Sequence, residues 1–188
     1  MELVSRCAIE SFLARNPGHR VIVYAKDAQD FRLKIGGLLE DKEGLSAGKA
    51  RHERILVRKV KFEKAFRHTP LQEWYESAQW KKSARPILDL CDAMRLALLY
   101  SIGGTYLDLD IISLNRVDGL GRVMAAVDEG QTHAGYLSTQ AEQAPWGGLF
   151  FIGNALFRFP PRDPFILAVM RQLPRQYDPS QWANTGRV

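Results

Sequence analysis

Hydrophobic positions along this chain take two forms: long stretches spaced for one helical face, and short continuous runs bounded by glycine, proline or charge. The segment "CAIESFLARNPGHRVIVYAKD" holds both, predicting a helix through Arg15, a turn at Asn16-Pro17-Gly18 and a strand from Val21 to Tyr24. That is half of an α/β unit. Residues 25–54 are highly charged and rich in glycine, which predicts a surface excursion with one short helix, and "RILVRKVKF" then gives a second strand. Thr69 before Pro70 marks a helix start, with Pro70 at its first position and Leu71, Trp74, Tyr75 and Ala78 on one apolar face. The clearest helix is "RPILDLCDAMRLALLYSIGG", running from Pro86 to just before Gly103. "TYLDLDIISL" and "RVMAAVD" read as strands, "GLFFIGNALFRF" as a bent or paired strand region, and "DPFILAVMRQL" as a last helix. Strands alternating with helices predict an α/β sandwich, interrupted by neither a repeat nor a low-complexity tract.

Composition narrows this picture only a little. With 188 residues, 46% hydrophobic and 25% charged, the chain can bury a sizeable core, and disorder is excluded. Lysine and arginine outnumber aspartate and glutamate by 26 to 21, a net charge of +5 that favours anionic partners such as nucleotides, nucleic acid or acidic membrane surfaces. No apolar run is long enough to span a bilayer, and "MELVSRCAIESF" lacks the apolar centre of a secretory signal, so the chain as given is expected to be soluble. Cys7 and Cys91 have no metal-ligand spacing and read as isolated buried thiols more readily than as a disulfide.

Candidate chemistry begins with "SIGGTYLDLDIISL", which puts Asp108 and Asp110 inside an apolar run just after a glycine pair. Two close carboxylates in a buried strand repel each other and need a positive partner, most simply a metal ion. In an extended segment residues i and i+2 point the same way, so both can aim at one cation. Oxygen donors favour magnesium or manganese, which leave room in their shell for substrate phosphates. Asp92 and Arg95 share a face of the preceding helix, either as an ordinary ion pair or as groups shared by a polar ligand, and the helix runs through Gly103-Gly104 into the aspartates. A strand ending in DxD also opens phosphatases of the haloacid dehalogenase type, where the first aspartate is a nucleophile. Ile112, where that pattern looks for threonine or valine, fits it poorly.

Beyond the bare motif, "LCDAMRLALLYSIGGTYLDLDIISL" resembles the signature of the DXD-sugar-binding glycosyltransferases, in the branch of the lactosylceramide 4-alpha-galactosyltransferases and alpha-1,4-N-acetylglucosaminyltransferases. "CAIESFLARNPGHRVIVY", "FRHTPLQEWY", "GNALFRFPPRDPFI" and "YDPSQWANTGRV" extend the resemblance over nearly the whole chain. It implies a glycosyltransferase A-type, Rossmann-like α/β fold, with residues 1–188 forming a single catalytic domain truncated at its first strand and its carboxy-terminal segment. It also implies a retaining hexosyltransferase that moves galactose or an N-acetylhexosamine from a UDP-sugar to a glycolipid or glycan in alpha-1,4 linkage, with Mn2+ or Mg2+. Carried over by position, Asp108 and Asp110 form the metal-binding and catalytic DXD pair, Asp110 touching the metal and Asp108 the ribose or donor sugar. Asp92, Arg95, Gly104 and Tyr106 would hold the donor, and Asn154 would lie near the reacting sugar. Retention could proceed through a carboxylate nucleophile or by same-face attack. No nucleic acid is expected as a partner.

The departures are Cys91, where relatives carry serine, and two family elements with no counterpart here: an early "ETS"-like strand and a late metal-contacting histidine. The chain closes on loop-like "DPSQWANTGRV" and reads as a fragment, for which a non-catalytic sugar-nucleotide-binding role is the alternative. His19, His52, His68 and His133 read as surface residues. The tryptophans read as core, except Trp146, in a loop beside Gly147-Gly148 where an acceptor could bind, while Lys81, Lys82 and Arg85 read as a solvated approach. By the same resemblance the expected location is the lumenal side of the Golgi membrane, with membrane association only through an anchor absent from this chain.

Overall fold

The computed structural model describes residues 2–36, 53–128, 134–138 and 150–180, and for residues 2, 35–36, 123–128, 134–138 and 150–154 the backbone alone. These residues carry a mixed α/β fold and fall into two compact units, one formed by residues 1–61 and 108–119, the other by 62–107 and 120–188.

The first unit holds helix α1 (Glu2–Arg15), strand β1 (Val21–Ala25), helix α2 (Ala28–Gly36) and strand β2 (Ile55–Lys59). β1 and β2 pair in parallel, Val21 opposite Ile55 through Ala25 opposite Lys59. Ile9 and Leu13 of α1 pack on Val23 of β1, with Val21, Phe31 and Ile55 against them. Helix α1 ends at Asn16, which is fully buried. The carbonyls left open at that end are satisfied by the Arg54 guanidinium, which donates to Leu13 O at 3.2 Å and to Asn16 O and Pro17 O at 3.0 Å. At the start of α2, Asp27 Oδ1 accepts hydrogen bonds from the backbone N–H groups of Gln29 (2.9 Å) and Asp30 (3.0 Å), the usual duty of a capping aspartate.

The same buried Asn16 fastens the segment that follows the paired aspartates. Its Oδ1 accepts a hydrogen bond from Val117 N at 2.8 Å, and Ser11 Oγ accepts one from Ser113 N at 3.0 Å. His19 Nε2 lies 3.3 Å from Asp118. Residues 108–119 thus join this unit by side chains of α1 and the turn after it.

The second unit holds short helices α3 (Phe62–Phe66) and α4 (Gln72–Glu76), a 3-10 turn (Gln79–Lys82), the long helix α5 (Pro86–Ile102), strands β3 (Gly104–Leu107), β4 (Val123–Asp128), β5 (Ala134–Ser138) and β6 (Phe150–Phe159), and helix α6 (Pro164–Gln176). The four strands form an antiparallel sheet in the order β3-β6-β4-β5. Helix α5 is buried at Leu90, Ala93, Met94, Leu96, Ala97 and Leu99, so it runs through the core and not along a surface. Helix α6 buries only the stripe Ile166, Met170 and Leu173, and begins at the fully buried Asp163, whose Oδ1 accepts from Phe165 N at 2.8 Å. Arg122 Nε lies 2.8 Å from Asp163 Oδ2, a charge contact outside hydrogen-bond geometry.

Several expectations shift. Residues after Lys59 do not prolong β2, since Phe62 already opens α3, and Pro70 lies in the turn ahead of α4 instead of at its first position. β3 ends at Leu107, well short of the strand read through Leu114: aspartate is depleted in strands and favours turns, and Ile111 N donates to Asp108 O at 3.2 Å to close one. Cys7 is half-buried and Cys91 exposed, and neither is in a disulfide. His52, His133, Trp146 and Trp182 lie outside the described residues.

Candidate active site

Helix α5 delivers the first group of site residues. Arg95, 7% exposed, donates from its guanidinium to Asp92 Oδ1 one turn earlier. Its Cζ lies 4.7 Å from the centre of the Tyr106 ring on β3. A buried guanidinium is tolerable only with such company: a carboxylate to pair with and a π-face to lie on. The structure therefore brings Asp92, Arg95 and Tyr106 together. Within the pair the carboxylate is the more exposed partner, its side chain at 24% against 8% for the arginine. Arg95 is thus the buried member of the pair and Asp92 the one nearer solvent.

The turn between α5 and β3 explains how residues 95 and 106 come to face each other. Gly103 closes the helix with φ 67° and ψ −164°, a conformation for glycine alone, and its N–H donates to Leu99 O at 2.8 Å. A Cβ there would sit 2.6 Å from both Cδ and N of Pro161. Arg162 secures the same corner, its N–H donating to Tyr100 O at 2.8 Å and its guanidinium lying 5.0 Å over the Tyr100 ring. Gly104 has φ 100° but nothing described within 4 Å of where a Cβ would go. Gly103 is therefore the glycine pressed against protein, while Gly104, the one expected to face the donor, has no described atom beside it.

Asp108 follows directly on Leu107. The carboxylates do not share one face of a strand, as the sequence reading expected: both stand in the turn closed by Ile111, Asp108 half-buried, Leu109 and Asp110 exposed. With Asp110 in water, the repulsion between them is softened. Among the described residues no group of three or more His, Cys, Asp or Glu is arranged to hold a metal ion. A donor set of two carboxylates still fits a hard divalent cation that keeps several waters or takes substrate phosphate oxygens.

Asn154 lies in β6, in the stretch where the β4–β6 ladder shifts register between the pairs Met124–Phe157 and Ala126–Ile152. Such irregularities re-aim side chains and are frequent beside active sites. Its own side chain is among those left out. Lys81 and Lys82 are exposed, as expected, and Trp74 is core. Trp80 stacks on Tyr75 at 5.8 Å.

The family described as "Glycosyltransferase sugar-binding region containing DXD motif" matches residues 4–125, more than half of the chain and all the site residues named above except Asn154. The chain belongs to this family. It is 31% identical over 123 residues to the lactosylceramide 4-alpha-galactosyltransferase of Pongo pygmaeus, covering 64% of this chain and 46% of that protein. The alpha-1,4-N-acetylglucosaminyltransferase of Homo sapiens is 26% identical over 118 residues, 63% of this chain and 28% of its own length. A longer match, to the lactosylceramide 4-alpha-galactosyltransferase of Rattus norvegicus, takes in 96% of this chain and 43% of that protein at 25% identity. The chain spans less than half the length of these curated relatives. Among the described residues no helix is long and apolar enough to cross a membrane.

Proposed function

We propose that this chain supplies the donor-binding part of a retaining glycosyltransferase, which moves galactose or an N-acetylhexosamine from a UDP-sugar to a glycolipid or glycan acceptor in alpha-1,4 linkage. The observation that carries the reading is the braced Asp92–Arg95–Tyr106 group in a chain of the DXD family, whose paired aspartates follow it in sequence. The family match favours glycosyl over phosphoryl transfer.

In the reaction the bond between the sugar's anomeric carbon and the diphosphate oxygen breaks, and UDP leaves with the electron pair. The acceptor hydroxyl oxygen forms the new bond to that carbon, and its proton passes to the departing diphosphate oxygen. Asp92, oriented by Arg95, accepts a hydrogen bond from a ribose or sugar hydroxyl. Asp108 and Asp110 are the residues that would hold Mn2+ or Mg2+, which when bound neutralises charge on the departing diphosphate. Asn154 serves near the reacting sugar.

Calorimetric titration of UDP into the purified chain, with manganese and then with excess chelator, tests this. Binding is expected with manganese, and is expected to be lost both in chelator and in Asp110→Ala. A folded chain that binds no UDP, or binds equally well in chelator, overturns the reading. Release of UDP from a UDP-sugar in the presence of acceptor then separates transfer from binding alone.

A further inference from the structure

The opening turn of α5 has no side-chain cap. Arg85 at the cap makes no side-chain capping hydrogen bond, Pro86 has no N–H, and Ile87 and Leu88 are exposed at 59% and 52%. Asp89 is different. It is 7% exposed, and its Oδ2 accepts a 2.6 Å hydrogen bond from the hydroxyl of Tyr177, 88 residues further along the chain. Tyr177 stands at the end of α6, with its ring edge-on to the buried Trp74 at 5.2 Å. Burial, reinforced by the bond to Asp89, pushes the Tyr177 hydroxyl well above the ordinary tyrosine range, so it remains a donor. Asp89, Asp92 and Arg95 follow one another at intervals of three on the helix, so what fixes the first is carried to the next two.

We propose that Tyr177 is a positioning residue: through Asp89 it holds the opening turn of α5, and with it the setting from which Asp92 and Arg95 meet the donor nucleotide. The functional half of this proposal rests on the donor-binding reading above, and the structural half stands without it.

Hydrogen exchange on the whole chain, free of ligand, reads the structural half directly. Tyr177→Phe, which removes one oxygen, is expected to speed exchange of the amides from Asp89 to Asp92 by about tenfold, the upper end for losing an intramolecular hydrogen bond, while α1 exchanges as before. Asp89→Asn keeps an oxygen able to accept from the phenol and is expected to stay near wild type, whereas Asp89→Leu follows Tyr177→Phe. UDP affinity measured with manganese is expected to fall in step with exchange across the four proteins. Unchanged exchange at Asp89 to Asp92 in Tyr177→Phe, or acceleration spread evenly over the whole chain, overturns the anchor. Faster local exchange with unchanged UDP affinity overturns the positioning role. Should wild type bind no UDP at all while the exchange pattern holds, the donor-binding reading falls and the anchor stands.

Discussion

Replacing Gly103 by alanine tests whether the corner between α5 and β3 is set by backbone conformation and close packing together. At φ 67° and ψ −164° an alanine pays strain of about 1–3 kcal/mol. Its Cβ would also meet Pro161 Cδ and N at 2.6 Å. Neither atom can swing away, because one belongs to a ring and the other to the main chain, so the corner must open; overpacking of this kind costs roughly another 1–3 kcal/mol. The sum, about 2–6 kcal/mol, is a large share of the ~5–15 kcal/mol that holds a typical domain folded. Gly104→Ala is the control: its φ of 100° strains an alanine, but no described atom lies within 4 Å of the new methyl group. Urea unfolding followed by far-ultraviolet circular dichroism measures both. With a slope of about 2 kcal/mol per molar urea, Gly103→Ala is expected to lower the midpoint by about 1 M or more, and Gly104→Ala by distinctly less. Equal losses, or a larger loss at Gly104, would refute the packing half of the reasoning, since conformational strain alone is common to the two sites.

Arg95→Lys keeps the charge but not the flat guanidinium that lies over Tyr106 while bonding Asp92. We expect roughly tenfold weaker manganese-dependent UDP binding, the equivalent of losing about 1–2 kcal/mol of stacking and orientation, with an unchanged circular dichroism spectrum. Asp27 provides a pH test: hydrogen bonds from the N–H groups of Asp30 and Gln29 hold its carboxylate below the usual range. Its support of α2 is therefore complete above the unfolded carboxylate's pKa and is lost as pH falls through the lowered one. The difference in α2 exchange protection between wild type and Asp27→Ala is expected at neutral pH and to vanish under strongly acid conditions; a difference that grows on acidification would reverse the sign of the argument.

The parts of this fold legible in the sequence are those fixed by neighbours in the chain. Helix α5 was readable to its ends because Pro86 and Gly103 punctuate it, and α1, β1, β4 and α6 because periodicity and turn residues lie side by side. β3 was read too long because an apolar run looks the same whether it continues a ladder or leaves it. What ends the strand is the turn that Asp108 closes with Ile111, and the aspartates themselves were the signal for it. The site divides in the same way. Asp92 and Arg95 could be paired from their spacing, but nothing local says that Tyr106 lies under the guanidinium, that Arg95 is the buried partner, or that Gly103 is pressed against Pro161. Those depend on a corner made by residues some sixty positions apart, Gly103 and Tyr100 on one side, Pro161 and Arg162 on the other. The consequence is a division of labour that the motif alone conceals. Asp110 stands exposed in its turn and is cheap to change for stability, while Gly103 holds a conformation and a packing that no other residue can take without strain. Substitutions at Asp110 and at Gly103 should therefore separate cleanly, the first altering ligand binding in a stable protein and the second altering stability first.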